Sequence, residues 1–206
     1  MTETNEDIWV QEIRSANADF RARVQPHELP TDRPAADRLV VTCMDPRVNL
    51  EALGIATFST EGAIRSRTRI VRTLGAIADD RSLLVAIHLP GVHEIAVLMH
   101  TDCGACLAWS KVDKIIENFK GSLSEAAQAL LASRLGGTTP DRLLSYLRAF
   151  PEPREALAAE VARLRREPWM PHTVRVHGLL YHLDDGLVEV VVDGTETPGR
   201  EHDSED

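Results

Sequence analysis

Cys43-Met44-Asp45-Pro46-Arg47 and His100-Thr101-Asp102-Cys103 are the two stretches of this chain whose residue types could do chemistry together. They offer two thiolates and one imidazole, soft to borderline donors that suit zinc. Asp45 adds a carboxylate able to approach such an ion. Arg47, two residues on, can grip that carboxylate with two parallel hydrogen bonds and keep it ionised. A carboxylate so placed could bind the metal or accept the proton of a metal-bound water. Three protein ligands leave the fourth tetrahedral position free, which separates a catalytic zinc from a structural one.

Taken singly, each residue has a blander reading. A free cysteine is most often a small buried hydrophobe, a lone histidine a hydrogen-bonded core residue, and Asp45–Arg47 a surface salt bridge at a helix start. Their conjunction favours the metal, and the spacing of three between His100 and Cys103 lets both reach one ion from a tight turn. Cys103-Gly104-Ala105-Cys106 also permits thiol–disulfide exchange, with a thiolate stabilised by a helix N-terminus, but that reading leaves Cys43, Asp45, Arg47 and His100 without a role. Asp102 reads as a weaker carboxylate candidate or as the cap of the following helix. His88, His93, His172, His177 and His182 read as surface or core residues, any of which could shuttle protons.

The two stretches are 57 residues apart from Cys43 to His100, so the fold must bring them together. Residues 38–42 form an apolar, β-branched run that reads as a buried strand ending at Cys43. Residues 69–73 are a second strand and 81–89 a helix stopped by Pro90-Gly91. Residues 94–99 are a third strand with His100 at its carboxyl end. This alternation predicts parallel crossovers, with ligands gathered at strand C-termini. Helices are expected over 107–119, 124–135, 141–149 and 152–166, then a hairpin of 173–182 and 187–192 around Asp184-Asp185-Gly186. Residues 7–24 read as an amphipathic helix carrying Trp9, Ile13, Ala16, Phe20 and Val24 at steps of three and four, tethered through Pro26, Pro30 and Pro34. It packs either on its own domain or on a neighbouring subunit. The expected fold is α/β: a mostly parallel central sheet flanked by helices, with a protruding N-terminal helix. Residues 1–206 read as a single domain, with an arm over about 1–25 and an acidic disordered tail over about 196–206.

Composition narrows the function classes. The 206 residues carry a net charge of -9, which argues against a nucleic-acid partner. No apolar run reaches transmembrane length, and the acidic, polar start is no signal peptide. Three clustered cysteines are too few for a disulfide framework and fit a reducing, cytoplasmic setting.

Cys43-x-Asp45-x-Arg47 followed by His100-x-x-Cys103 resembles the β-class carbonic anhydrases. The flanks add to the likeness: Val41-Thr42 before Cys43, Asp79-Asp80 with Arg81-Ser82-Leu83, Leu89-Pro90-Gly91-Val92-His93-Glu94-Ile95, and Arg175-Val176-His177-Gly178-Leu179-Leu180-Tyr181. The resemblance implies a homodimer or homotetramer built through swapped N-terminal helices. It implies zinc on Cys43, His100 and Cys103, and a fourth position taken by water or hydroxide, or by Asp45 until Arg47 draws that carboxylate away. The implied reaction is the reversible hydration of carbon dioxide to bicarbonate by zinc-bound hydroxide. Close relatives on the same scaffold hydrolyse carbonyl sulfide or carbon disulfide, and a non-catalytic zinc-binding homologue is the further alternative. Three departures bear on substrate. Arg72-Thr73-Leu74-Gly75 stands where the family has Arg-Asn-Ala-Gly, the segment 56–69 is long and carries Arg65, Arg67 and Arg69, and Ala105-Cys106 follows Gly104 where a Met is common. Leu74, Gly75 and Gly104 are therefore the expected substrate-pocket residues.

Overall fold

The structure is a computed structural model that describes residues 5–24, 36–55 and 68–195. The segment 56–67 and the tail 196–206, singled out above, lie outside the described residues. Five strands, β1 (Arg38–Cys43), β2 (Thr68–Thr73), β3 (Glu94–His100), β4 (Arg175–Tyr181) and β5 (Val188–Val192), form one sheet in the order β2-β1-β3-β4-β5. Strands β1 to β4 are mutually parallel, and β5 returns antiparallel to β4.

Strand order decides where a site can form. From β1 the chain crosses outward to β2, then passes through α2 (Asp80–His88) to reach β3 on the other side of β1. The connections leaving β1 and β3 thus diverge, and a crevice opens between the carboxyl ends of these adjacent strands. Cys43 is the last residue of β1 and His100 the last of β3. The continuous apolar runs expected of doubly covered strands are present: Leu39 to Cys43 and Val97 to His100 are all buried.

Local chemistry sets the boundaries. Asp79 caps α2 by accepting the Ser82 N–H at 3.2 Å and the Ser82 hydroxyl at 2.5 Å. Pro153 opens α7 (Pro153–Arg166), where its missing N–H costs nothing. α7 lies on β3 and β4 through buried Leu157, Val161 and Leu164. Gly178 allows that approach, since a Cβ there would stand 3.1 Å from Val161 and 3.2 Å from Leu157.

Two regions differ from the sequence reading. The single helix expected over 107–119 is two, α3 (Gly104–Ser110) and α4 (Val112–Ser122), broken at Lys111 with φ -121° and ψ 25°. The halves serve different cores. Ala105 of α3 faces the main core, while Val112 and Ile116 of α4 join Leu135 of α5 (Glu125–Leu135) and Leu143 of α6 (Pro140–Leu147) in a separate cluster. The N-terminal helix α1 (Asn5–Arg23) forms, but its apolar face finds no seat among the described residues: Trp9 is 69% exposed and Ile13 50%. Packing on its own domain, the simpler of the two expectations, is therefore not what the structure shows. No helix among the described residues is long and apolar enough to cross a membrane.

Candidate metal centre

Cys43 at the end of β1, His100 at the end of β3 and Cys103 three residues later converge in the crevice. Their ligand atoms all lie within 4.8 Å of one another, and all three residues are buried. The two sulfurs are 3.8 Å apart. Two zinc–sulfur bonds of about 2.3 Å at a tetrahedral angle set their sulfurs about 3.8 Å apart. The imidazole of His100 is fully buried, and its Nδ1 lies 2.8 Å from the Thr101 carbonyl oxygen, which fixes the proton on Nδ1. Nε2 then carries a lone pair, and it has no hydrogen-bond partner. A buried polar atom without a partner is costly. Two thiols and this lone pair fit a thiophilic divalent cation, and they would be satisfied by one.

The hydrogen bond between the two sulfurs is the main reason that the Cys43 thiol is lowered; contacts with His100 and the backbone N–H groups of Asp45 and Gly75 add to it. Cys103 is pushed up by the same pairing and by burial. Burial disfavours the charged form of His100, but the nearby Cys43 sulfur, the Thr101 carbonyl and the Asp45 carboxylate outweigh it and raise the ring. A cation binding here would displace these protons.

Asp45 stands beside the triad, its Oδ2 3.9 Å from His100 Nε2. Arg47 grips it as its spacing predicted: Nε donates to Oδ1 at 3.0 Å, Nη2 donates to Oδ2 at 2.8 Å, and the backbone N–H of Arg47 donates to Oδ1 at 2.9 Å. This grip lowers Asp45 to about 2, so the carboxylate stays ionised. Asp102 proves to be the second anchor of Arg47, through Nη1 to Oδ2 at 2.8 Å and Nη2 to its carbonyl at 2.9 Å. It does not cap the next helix. Cys103 itself is the N-cap of α3, its sulfur accepting the Ala105 N–H at 3.5 Å.

Arg72 is the residue whose part in the site went unread. From β2 it donates to the carbonyls of Cys43 at 2.9 Å, Asp45 at 3.3 Å and Val48 at 3.1 Å, and so sets the path of the whole loop after β1. Its place opposite Thr42 is set by the pairing of β2 with β1, which no residue pattern in the sequence marks. Thr101 ties the other loop down: its N–H donates to the Tyr181 carbonyl and its hydroxyl accepts the Leu183 N–H, both at 3.0 Å. Of the expected pocket residues, Leu74 is half-buried against the main core, Gly75 is buried, and Gly104 is exposed at the start of α3. Cys106 is half-buried one turn along α3; all three cysteines are free thiols.

Comparison with known proteins agrees with this architecture. Residues 38–188 match the family model described as carbonic anhydrase. The "Putative carbonic anhydrase YvdA" of Bacillus subtilis (strain 168) is 30% identical over 173 residues, covering 81% of this chain and 82% of that one. A carbon disulfide hydrolase of Acidianus sp. (strain A1-3) is 29% identical over 157 residues, covering 70% and 72%. Among solved structures, β-carbonic anhydrase isoform I of Trichomonas vaginalis superposes with a TM-score of 0.70 at 25% identity, over 94% of this chain and all of that one. Matched strands, crossovers and both cysteine-bearing loops fall inside the aligned span, and on that ground the chain belongs to the β-carbonic anhydrase family.

Proposed function

We propose that this protein is a zinc-dependent hydratase that interconverts carbon dioxide and bicarbonate. The observation that carries the reading is the buried Cys43–His100–Cys103 cluster with His100 Nε2 unsatisfied, set against an Asp45 carboxylate held ready by Arg47. Cys43, His100 and Cys103 would hold the ion. When bound, zinc supplies a Lewis acid that lowers the pKa of a water from about 15.7 towards about 7.

The chain's own residues do the rest. Asp45 Oδ2, the carboxylate oxygen on the His100 side, accepts a hydrogen bond from the attacking water and turns its lone pair towards the substrate carbon. With its pKa near 2, Asp45 is a hydrogen-bond acceptor and not a proton reservoir at neutral pH. Arg47 fixes both oxygens, and Asp102 fixes Arg47, so the acceptor is oriented before substrate arrives. One water and one carbon dioxide give bicarbonate and a proton, which leaves to buffer. Leu74, Gly75 and Gly104 would line the approach.

A second reading keeps the ion and changes the electrophile. The carbon disulfide hydrolase is nearly as similar as the first relative, and Leu74 replaces a smaller family residue beside the site. Carbon disulfide with two waters would give carbon dioxide and two hydrogen sulfide molecules; carbonyl sulfide needs one water. Parallel assays on one zinc-quantified preparation decide: stopped-flow hydration of carbon dioxide, and sulfide release from each sulfur gas. Hydration well above buffer supports the first reading; sulfide release without hydration supports the second. One zinc per chain with no turnover of any of the three gases would leave a zinc-binding homologue.

The exposed face of α1, with Trp9, Val10 and Ile13, supports a homodimer or homotetramer in which this helix is covered by a second copy. Sedimentation equilibrium reads it directly, and a monomer at micromolar concentration would reject it. Two unpaired thiols 3.8 Å apart also favour a reducing, cytoplasmic compartment.

A further inference from the structure

Glu160 on α7 is a charged side chain that is 3% exposed, and its carboxylate is fully used. Oε1 accepts the backbone N–H of Ala78 at 2.9 Å and Arg163 Nη2 at 2.9 Å. Oε2 accepts Arg163 Nε at 3.0 Å and Arg148 Nη2 at 2.5 Å. Arg163 continues outward to Asp80 and Glu167. Burying such a group is a poor way to gain stability, because desolvation offsets much of the ion-pair attraction. What a buried, fully bonded carboxylate secures is geometry.

The geometry it secures is next to the metal centre. Ala78 ends the segment that follows β2, and Arg148 lies two residues before Phe150. Those two segments meet at Gly75: a Cβ there would stand 2.8 Å from Phe150 Cε1 and 2.9 Å from the Ala105 methyl. Gly75 and Ala76 are consecutive residues in the left-handed region, at φ 62° and 58°, and Arg148 is a third at φ 50°. Non-glycine residues hold that conformation only where the surroundings over-determine it.

From this ledge both sulfur-bearing loops are reached. The Thr73 carbonyl accepts the Met44 N–H at 2.8 Å, directly after Cys43. Ala105, pressed against Gly75, donates its N–H to the Cys103 sulfur at 3.5 Å.

We propose that Glu160 is a positioning residue of the metal centre: by holding Ala78 and Arg148 on one carboxylate it locks Gly75 against Phe150 and Ala105, and so fixes the loops of Cys43 and Cys103. The inference rests on the metal reading above and adds a residue that touches neither ion nor substrate.

The test compares Glu160→Ala with Leu143→Ala in the full chain. Leu143 lies in the separate cluster of α4, α5 and α6 and serves as a destabilising control. Zinc affinity is measured by competition with a chromophoric chelator, well below the melting temperature of each variant. The thiolate-to-cobalt charge-transfer band is recorded on cobalt-loaded protein. Glu160→Ala is expected to weaken zinc about tenfold or more and to broaden the cobalt band, as loss of supporting partners does at metal sites. Glu160→Gln, which keeps an acceptor for the Ala78 N–H, recovers most of the affinity. Leu143→Ala changes affinity by no more than about twofold.

Wild-type affinity and an unchanged cobalt band in Glu160→Ala would overturn the proposal, as would an equal loss of affinity in Leu143→Ala. If Glu160→Ala does not fold, Arg148→Met carries the same readouts, and unchanged zinc affinity there overturns it. A wild-type protein that takes up no zinc would instead overturn the metal reading, and this inference with it.

Discussion

The sheet holds one histidine of note towards each end, His100 and His177, and the two are wired in opposite senses. At the carboxyl end, His100 bonds the Thr101 carbonyl through Nδ1, so the proton sits on Nδ1 and Nε2 offers a lone pair. At the amino end, the Nδ1 of His177 accepts the Gly194 N–H at 3.0 Å, so the proton sits on Nε2, 3.4 Å from the Glu94 carboxylate. Nε2 is buried without a hydrogen bond in both rings. Around His177 stand Glu94, Asp193, Arg175 and Arg38, a partly solvated set of alternating charges that completes itself. Around His100 stand two sulfurs and a carboxylate turned towards Arg47, a set of donors that needs a cation. An orphaned ring nitrogen by itself is therefore no sign of a metal. The tautomer set by the other nitrogen, and the convergence of soft donors on it, separate the two ends.

The largest effect tests that contrast directly. Cys43→Ser and His100→Ala should each lose zinc to a chelator that the wild type resists, with affinity down by more than about 100-fold, beyond the loss typical of supporting residues. His177→Gln should keep one zinc per chain and wild-type affinity. Metal analysis after chelator dialysis reads both; zinc loss from His177→Gln would erase the distinction between the two ends.

Next in size is the dyad. Asp45→Ala and Arg47→Ala should retain zinc yet lose on the order of 100- to 10,000-fold in turnover, the range of a positioned acid–base group. Steady-state hydration rates normalised to zinc content check this, and loss of metal from either variant would make that residue a ligand.

A smaller effect falls on the ledge between the loops. Gly75→Ala places a methyl within 3.0 Å of Phe150 and Ala105 at φ 62°. It should cost about 1–3 kcal/mol, read from denaturant melts of the metal-free protein. A melt unchanged from wild type would mean that this contact is looser than drawn.

The smallest concerns pH. Arg47 holds Asp45 near 2, below its ordinary 3.8. A depressed carboxylate pKa stabilises the fold above the ordinary range, and that contribution disappears as pH falls through about 2. In Arg47→Ala the Asp45 titration should move up towards 3.8, seen by carboxyl carbon chemical shift in the metal-free protein. An Asp45 midpoint unmoved by the substitution would show that Arg47 is not its cause.

Much of the site could be read from sequence because its parts are short and local. Cys43, Asp45 and Arg47 share one loop, His100 and Cys103 another, and the apolar runs before them mark strands whose ends must face one crevice. What could not be read depends on tertiary partners. Asp102 pairs with Arg47 across the two loops because its backbone turns left-handed at φ 53°. Arg72 reaches three carbonyls because β2 lies in register with β1. The break at Lys111 leaves no mark in the apolar periodicity, since the residues on either side are equally helical and only their choice of core differs. The exposure of α1's apolar face is likewise a matter of tertiary packing, which helical spacing alone does not show.

The most direct measurement is X-ray absorption at the zinc edge on protein loaded with one zinc per chain. The account predicts two sulfur neighbours at about 2.3 Å, one imidazole nitrogen at about 2.0–2.1 Å and one further oxygen. Three sulfur neighbours would bring Cys106 into the centre, and failure to retain zinc at one per chain would remove the centre altogether; either would contradict it.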